Sequence, residues 1–165
     1  MTRTSKEILS SRDKLSKDIT RQWAIIRSEN LIEKNGKRNY DMKELLNSID
    51  TLSKKRIIDK LDSLAINLGI KDRKDFPKDN IYTIIYTLSE KNEMFVQLGL
   101  IPTLNPIIKL KKGKKKLDKT EELTSDFIGN LRNKLQLEIN ALKKKLEDYN
   151  NSATLITDKE YNLKV

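Results

Sequence analysis

Asp41-Met42-Lys43-Glu44-Leu45-Leu46-Asn47-Ser48-Ile49-Asp50-Thr51-Leu52-Ser53-Lys54-Lys55-Arg56-Ile57-Ile58-Asp59-Lys60-Leu61-Asp62-Ser63-Leu64-Ala65-Ile66-Asn67-Leu68-Gly69 reads as helical throughout, and whether it is one helix or two decides the fold. Asp41 followed by Glu44 is a capping-box signature, and Met42, Leu45, Leu46, Ile49 and Leu52 fall on one helical face. Ile57, Leu61, Leu64, Ala65 and Leu68 form a second stripe. On one continuous helix the two stripes point in clearly different directions. The pattern therefore predicts a break near Thr51-Leu52-Ser53, giving two short helices joined by a tight turn, with Gly69 closing the second.

Upstream, Thr4 and Glu7 form another capping box, and Ile8, Leu15, Ile19, Trp23 and Ile26 recur at helical spacing as far as Leu31 and Ile32. This predicts a first helix over 4–34, stopped by Asn35-Gly36 and followed by the basic linker Lys37-Arg38-Asn39. Downstream of a charged connector ending at Pro77, Ile81, Ile84, Ile85, Leu88, Phe95 and Leu98 predict a helix over 78–98, although Ile81 to Thr87 is also rich in strand-forming residues.

Prolines and lysines exclude a regular helix from 100 to 119, where a basic loop or a small hairpin with Gly113 at its tip is expected. Thr120 is expected to cap a long helix over 120–150. Its apolar residues Ile128, Leu131 and Leu135 recur eleven positions later as Ile139, Leu142 and Leu146. The chain thus reads as an all-α bundle of about five helices in one domain, 1–150, with a 151–165 tail.

The composition narrows the chemistry. Among 165 residues there is neither Cys nor His, which removes disulfides, Cys nucleophiles, Ser-His and Cys-His pairings and zinc sites built from those residues. An enzyme would have to work with carboxylate, Lys, Tyr or Ser alone, and no spacing selects such a set. The five glycines are too dispersed to build a phosphate-cradling loop, so neither catalysis nor a cofactor is expected. Asp126, Glu138, Glu147 and Asp148 match no metal-ligand spacing and read as a solvated face. Trp23, Tyr82, Tyr86 and Tyr149 read as core residues with polar tips. The chain shows no apolar run of membrane-spanning length and no hydrophobic signal core near Met1, so a soluble, cytoplasmic protein without membrane attachment is expected.

The net charge of +10 directs attention to anionic partners. The excess is carried by 26 Lys against 8 Arg, beside 14 Asn, so the codon bias of an AT-rich genome is a competing explanation. Two places concentrate it. Lys109 to Lys119 holds seven lysines and one acidic residue, Asp118. The predicted turn places Ser53 as the N-cap of a helix beginning Lys54-Lys55-Arg56, where positive side chains oppose the macrodipole and a bound phosphate would relieve the conflict.

The run Leu52-Ser53-Lys54-Lys55-Arg56-Ile57, coming after a helix, resembles the start of a recognition helix in helix-turn-helix proteins: a hydrophobic residue, a Ser cap, exposed polar positions, then a buried branched residue. The resemblance spans Asp41 to Leu68 and departs from the pattern at Thr51, where a small residue is usual. It implies a helix N-terminus that enters the major groove or clasps phosphate.

The expected function is that of a non-enzymatic nucleic-acid-binding accessory protein for duplex DNA, of the kind carried by mobile elements, phage or plasmids. Its contacts would come from Lys54, Lys55, Arg56, Lys111, Lys112, Lys114, Lys115 and Lys116. The alternative is a helical adaptor or inhibitor that meets a protein partner, or a second copy of itself, through the faces of the first and last helices. Exposure of the stripe Ile128, Leu131, Leu135, Ile139, Leu142, Leu146 would favour that alternative.

Overall fold

The computed structural model describes residues 2–77, 80–104 and 118–154. The elements run α1 (Ser5–Glu29), β1 (Leu31–Glu33), α2 (Met42–Asn67), a 3-10 turn (Arg73–Asp75), α3 (Ile81–Gly99), β2 (Lys119–Glu121) and α4 (Ser125–Ser152). Four α-helices account for most of these residues, so the all-α expectation holds, while the fifth helix is absent among them.

The missing helix is explained by one correction. The 41–69 segment is a single uninterrupted helix and not a helix-turn-helix pair. Projected at 100° per residue, Met42, Leu46, Ile49, Ser53, Arg56 and Lys60 fall within an arc of about 80°. That is one straight stripe. Its first half is apolar and buried, and its second half is carried by Arg56, also buried, and half-buried Lys60. Part of the second apolar stripe has a different cover: Leu61 and Ala65, with Ile58, meet Phe76 of the connector after α2 around a small cavity of about 150 Å³, while Ile57 faces the α4 side and Leu68 is exposed. Two stripes at different angles thus reflect two sets of neighbours, with no bend between them.

The helices alternate in direction. Arg3 at the start of α1 reaches Asp59 late in α2 at 2.7 Å. Arg56 and Lys60 of α2 meet Glu90 of α3, and Lys60 continues to the Tyr86 ring. Arg132 of α4 stacks 4.2 Å from the Phe95 centroid while Lys91 pairs with Glu138. Each neighbouring pair is therefore antiparallel. The main apolar cluster gathers Ile19, Trp23 and Ile26 from α1, Met42, Leu46 and Ile49 from α2, Leu98 and Ile101 from the end of α3, and Leu123, Ile128 and Leu135 leading into α4.

At that end of the bundle the chain departs twice more from the sequence expectations. The first helix stops at Glu29, not near 34, because the residues beyond Asn30 form β1 and pair with β2, Leu31 opposite Glu121 and Glu33 opposite Lys119. Arg38, from the linker, closes the helix: its Nε donates to Glu29 O at 3.1 Å and its Nη2 to Asn30 O at 2.9 Å and Thr120 O at 3.0 Å. A cation against C-terminal carbonyls also favours the helix dipole. Thr120 lies in β2, and the N-cap of α4 is Thr124, whose hydroxyl accepts from Phe127 N–H at 3.1 Å.

Asn30 ties these pieces together. Its fully buried amide donates to Pro102 O at 2.8 Å and Leu123 O at 3.0 Å, and accepts from Leu123 N–H at 2.7 Å. Truncation would leave one donor and two carbonyls without those partners in a dry site. Asn30→Ala is expected to cost about 3 kcal/mol, read as a lower urea midpoint at unchanged slope.

Candidate functional site

The two basic places foreseen in the sequence have different fates. Lys54 and Lys55 lie in the middle of α2, both exposed, and Ser53 caps nothing. The helix N-terminus is at Asp41, whose carboxylate accepts from Glu44 N–H at 2.8 Å, and the acidic Glu44 in the first turn suits the dipole. Lys54 reaches back one turn to Asp50 at 2.6 Å, an exposed pair that raises the lysine pKa.

Arg56 points inward. Its Nε donates to both Glu90 oxygens at 2.9 and 3.1 Å, its Nη2 also to Glu93 at 2.6 Å, and its Nη1 to Ser16 Oγ at 3.3 Å. Lys60 adds a bond to Glu90 at 2.8 Å. Burial works against the Arg56 charge, and the Glu90 and Glu93 carboxylates outweigh it, leaving the guanidinium above its ordinary pKa. Such an arginine positions α2 on α3: it is buried, and its charge is matched inside the bundle by Glu90 and Glu93, so it is not presented to a phosphate. The sequence signal for it was available: Arg56 continues the Met42, Leu46, Ile49 stripe at helical spacing.

Lys111, Lys112, Lys114, Lys115 and Lys116, with the suggested hairpin at Gly113, lie outside the described residues, as does the tail from 155. The two ends of that basic stretch are placed. Leu104 N–H donates to the Glu121 carboxylate, and Lys34 N–H donates to Asp118 O at 2.7 Å. Both ends therefore leave from the β1/β2 ribbon. Residues 105–117 hold six lysines and no acidic residue, six of the net ten positive charges, leaving four for the rest of the chain.

A feature the sequence did not announce is a groove of about 580 Å³ between α2 and α4, floored in part by α3. Leu46, Ile57, Met94, Phe127, Leu131 and Leu135 supply its apolar surface. Lys43 and Lys134 face it from opposite sides, Lys43 lying 5.7 Å from the Phe127 centroid. Elsewhere α4 is well covered: Ile128, Leu135 and Ile139 are buried and Leu131, Leu142 and Leu146 half-buried, so the stripe proposed for partner contact mostly faces the bundle.

Trp23 is a core residue as foreseen, but Tyr82 and Tyr149 are exposed. Among the described residues no group of three metal-ligating side chains occurs, and no helix is long and apolar enough to cross a membrane. No protein-family model, curated protein or solved structure matches the chain.

The charge clusters are open to mutational test. Arg56→Met leaves Glu90 buried with Lys60 alone and is expected to cost about 3 kcal/mol, whereas Arg56→Met/Glu90→Leu should recover most of that loss; chemical denaturation of the three proteins reads both. A second test concerns Asp59. Burial acts to raise its pKa, but the Arg3 hydrogen bond and the Arg3 and Arg12 charges hold it below its ordinary value of 3.8. A depressed carboxyl contributes stability above the unfolded value and loses it as pH falls through the folded one. Asp59→Asn should therefore be less stable than the parent at pH 7, and the gap should narrow below about pH 4. A gap independent of pH would mean that the Arg3 pair contributes nothing.

Proposed function

We propose that this protein binds nucleic acid, duplex DNA foremost, as a non-enzymatic accessory factor of the kind used by mobile elements, phage or plasmids. The observation that carries the reading is the concentration of charge in residues 105–117, six lysines without one acidic residue between two ends held at the same ribbon. Each lysine set against phosphate releases condensed counterion and adds affinity without reading sequence. The neighbouring composition supports a backbone contact over base stacking, since 105–117 contains no aromatic residue.

Lys111, Lys112, Lys114, Lys115 and Lys116 carry this contact. Arg56 leaves it, because it is turned into the bundle, and Lys54 is next to its own counter-charge, while Lys55 is exposed in the middle of α2 and stays in the proposal as a further phosphate contact. Discrimination between DNA sequences is accordingly not part of the proposal. An electrostatic clamp predicts affinity that rises steeply as salt falls and that varies little with base composition.

Changing all five lysines to Ala should flatten the slope of log affinity against log salt on duplex DNA by up to about 4. A gel-shift titration from low to physiological salt measures it, with single-stranded DNA and RNA run beside the duplex. An unchanged slope would remove the segment from the mechanism, and no shift with any of the three nucleic acids would end the nucleic-acid reading.

A further inference from the structure

The groove between α2 and α4 leaves apolar side chains of three helices uncovered among the described residues. It runs along α2 from Lys43 to Ile57 and along α4 from Phe127 to Glu138. At 1.5 Å per residue the α2 wall is about 20 Å long, the length of a helix of about fourteen residues. The two walls run in the same direction, each antiparallel to α3, so an added helix would lie in the trench as α3 lies beneath it.

The charge on the rim selects the partner. Asp50 is held by Lys54, Glu138 by Lys91, and Glu90 by Arg56 and Lys60. Every carboxylate lining the groove thus has its cation within this chain. Lys43 and Lys134 line the same groove from opposing helices and have no carboxylate partner among the described residues. A basic helix would find no free counter-charge here. An acidic one would find two lysines, one on each side of an apolar floor.

We infer that this trench is the docking site for an amphipathic helix of a partner protein, with Leu-like anchors on Leu46, Ile57, Met94, Leu131 and Leu135 and carboxylates on its flanks set against Lys43 and Lys134. The trench lies open along its side and covers one face of an occupant. That suits a helix with one apolar stripe better than a fatty acid, whose whole chain needs covering. Ionic pairs at Lys54–Asp50 and Lys91–Glu138 supply the polar rim that surrounds an apolar contact. The inference stands independently of nucleic-acid binding, because none of its residues lies in 105–117.

The probe is a synthetic helical peptide of about fourteen residues, fluorescently labelled, with Leu at i, i+4, i+7 and i+11 and Glu on both flanks. A second peptide carries Lys in place of Glu. Anisotropy titrations should show saturable binding of the acidic peptide to the intact chain. Lys43→Glu/Lys134→Glu should weaken it at least tenfold and reverse the preference towards the basic peptide. The Ala variant at Lys111, Lys112, Lys114, Lys115 and Lys116 should keep acidic-peptide binding, which separates the trench from simple attraction to the lysine segment. Both exchanged side chains are on the surface, and far-UV circular dichroism confirms the fold; Lys43→Gln/Lys134→Gln gives the same reading if the charge-reversed protein unfolds. Absence of saturable binding, insensitivity to the charge changes, loss of binding in the five-lysine variant, or displacement of the peptide by dodecanoate with tighter binding of that anion would each overturn the inference.

Discussion

A buried arginine opposite a buried glutamate sets the arrangement of the middle of this bundle. Arg56 and Glu90 are nearly removed from water, and taking two such charges out of solvent costs several kcal/mol per ion before any attraction is counted. The geometry offsets that cost by satisfying the groups on both sides. Glu90 accepts from Arg56 and Lys60, while the guanidinium also donates to Glu93 and Ser16. An apolar pair of similar shape would hold α2 and α3 together at least as strongly, but it would tolerate sliding by a residue or two. A planar fork on a carboxylate does not, so the pair specifies where along α3 the second helix sits.

That register places the rest of the bundle. With Arg56 on Glu90, the first half of α2 carries Met42, Leu46 and Ile49 into the cluster built from Trp23, Ile26, Leu98, Leu123 and Ile128. The apolar cluster ends in polar closures at the ribbon: Asn30 bridges α1 to Pro102 and Leu123, Arg38 takes the last carbonyls of α1, and Glu122 accepts from Met42 N–H at 2.9 Å at the start of α2. These residues satisfy helix-end groups that a short loop could not reach alone. They also hold β1 and β2 side by side, which brings the two ends of the lysine-rich segment to one place.

Much of this was legible in the sequence, and the failures share one cause. Caps at Thr4 and Asp41, the helix from about 78 to 98, the buried Trp23 and the long first and last helices were all readable, because each rests on local chemistry. The false break at Thr51-Leu52-Ser53 arose from supposing that a buried stripe must be apolar. Arg56 looked like a solvent residue until Glu90, thirty-four positions away, supplied its partner. The misplaced ends of α1 and α4 have the same origin: Leu31 to Glu33 and Lys119 to Glu121 take their strand form from each other, and no local propensity in either three-residue run requires it. The groove was invisible for a related reason, since its lining comes from three helices and its free lysines are distinguished only by what their neighbours are already holding.

The same partner accounting bears on whether the lysine excess is genomic bias alone. If codon usage alone supplied the lysines, they would be dispersed among carboxylates, and in the described helices some are: Lys54 pairs with Asp50, Lys91 with Glu138 and Lys60 with Glu90. Residues 105–117 break the pattern, with six lysines and no acid in thirteen positions. Close lysines repel one another in any conformation, and nothing within the segment relieves that repulsion. Bias towards lysine codons explains why the cations are Lys and not Arg. It does not explain why carboxylates, abundant on either side, stop after Glu93 and resume only at Asp118, and that local exclusion of acid is what an anionic partner would require.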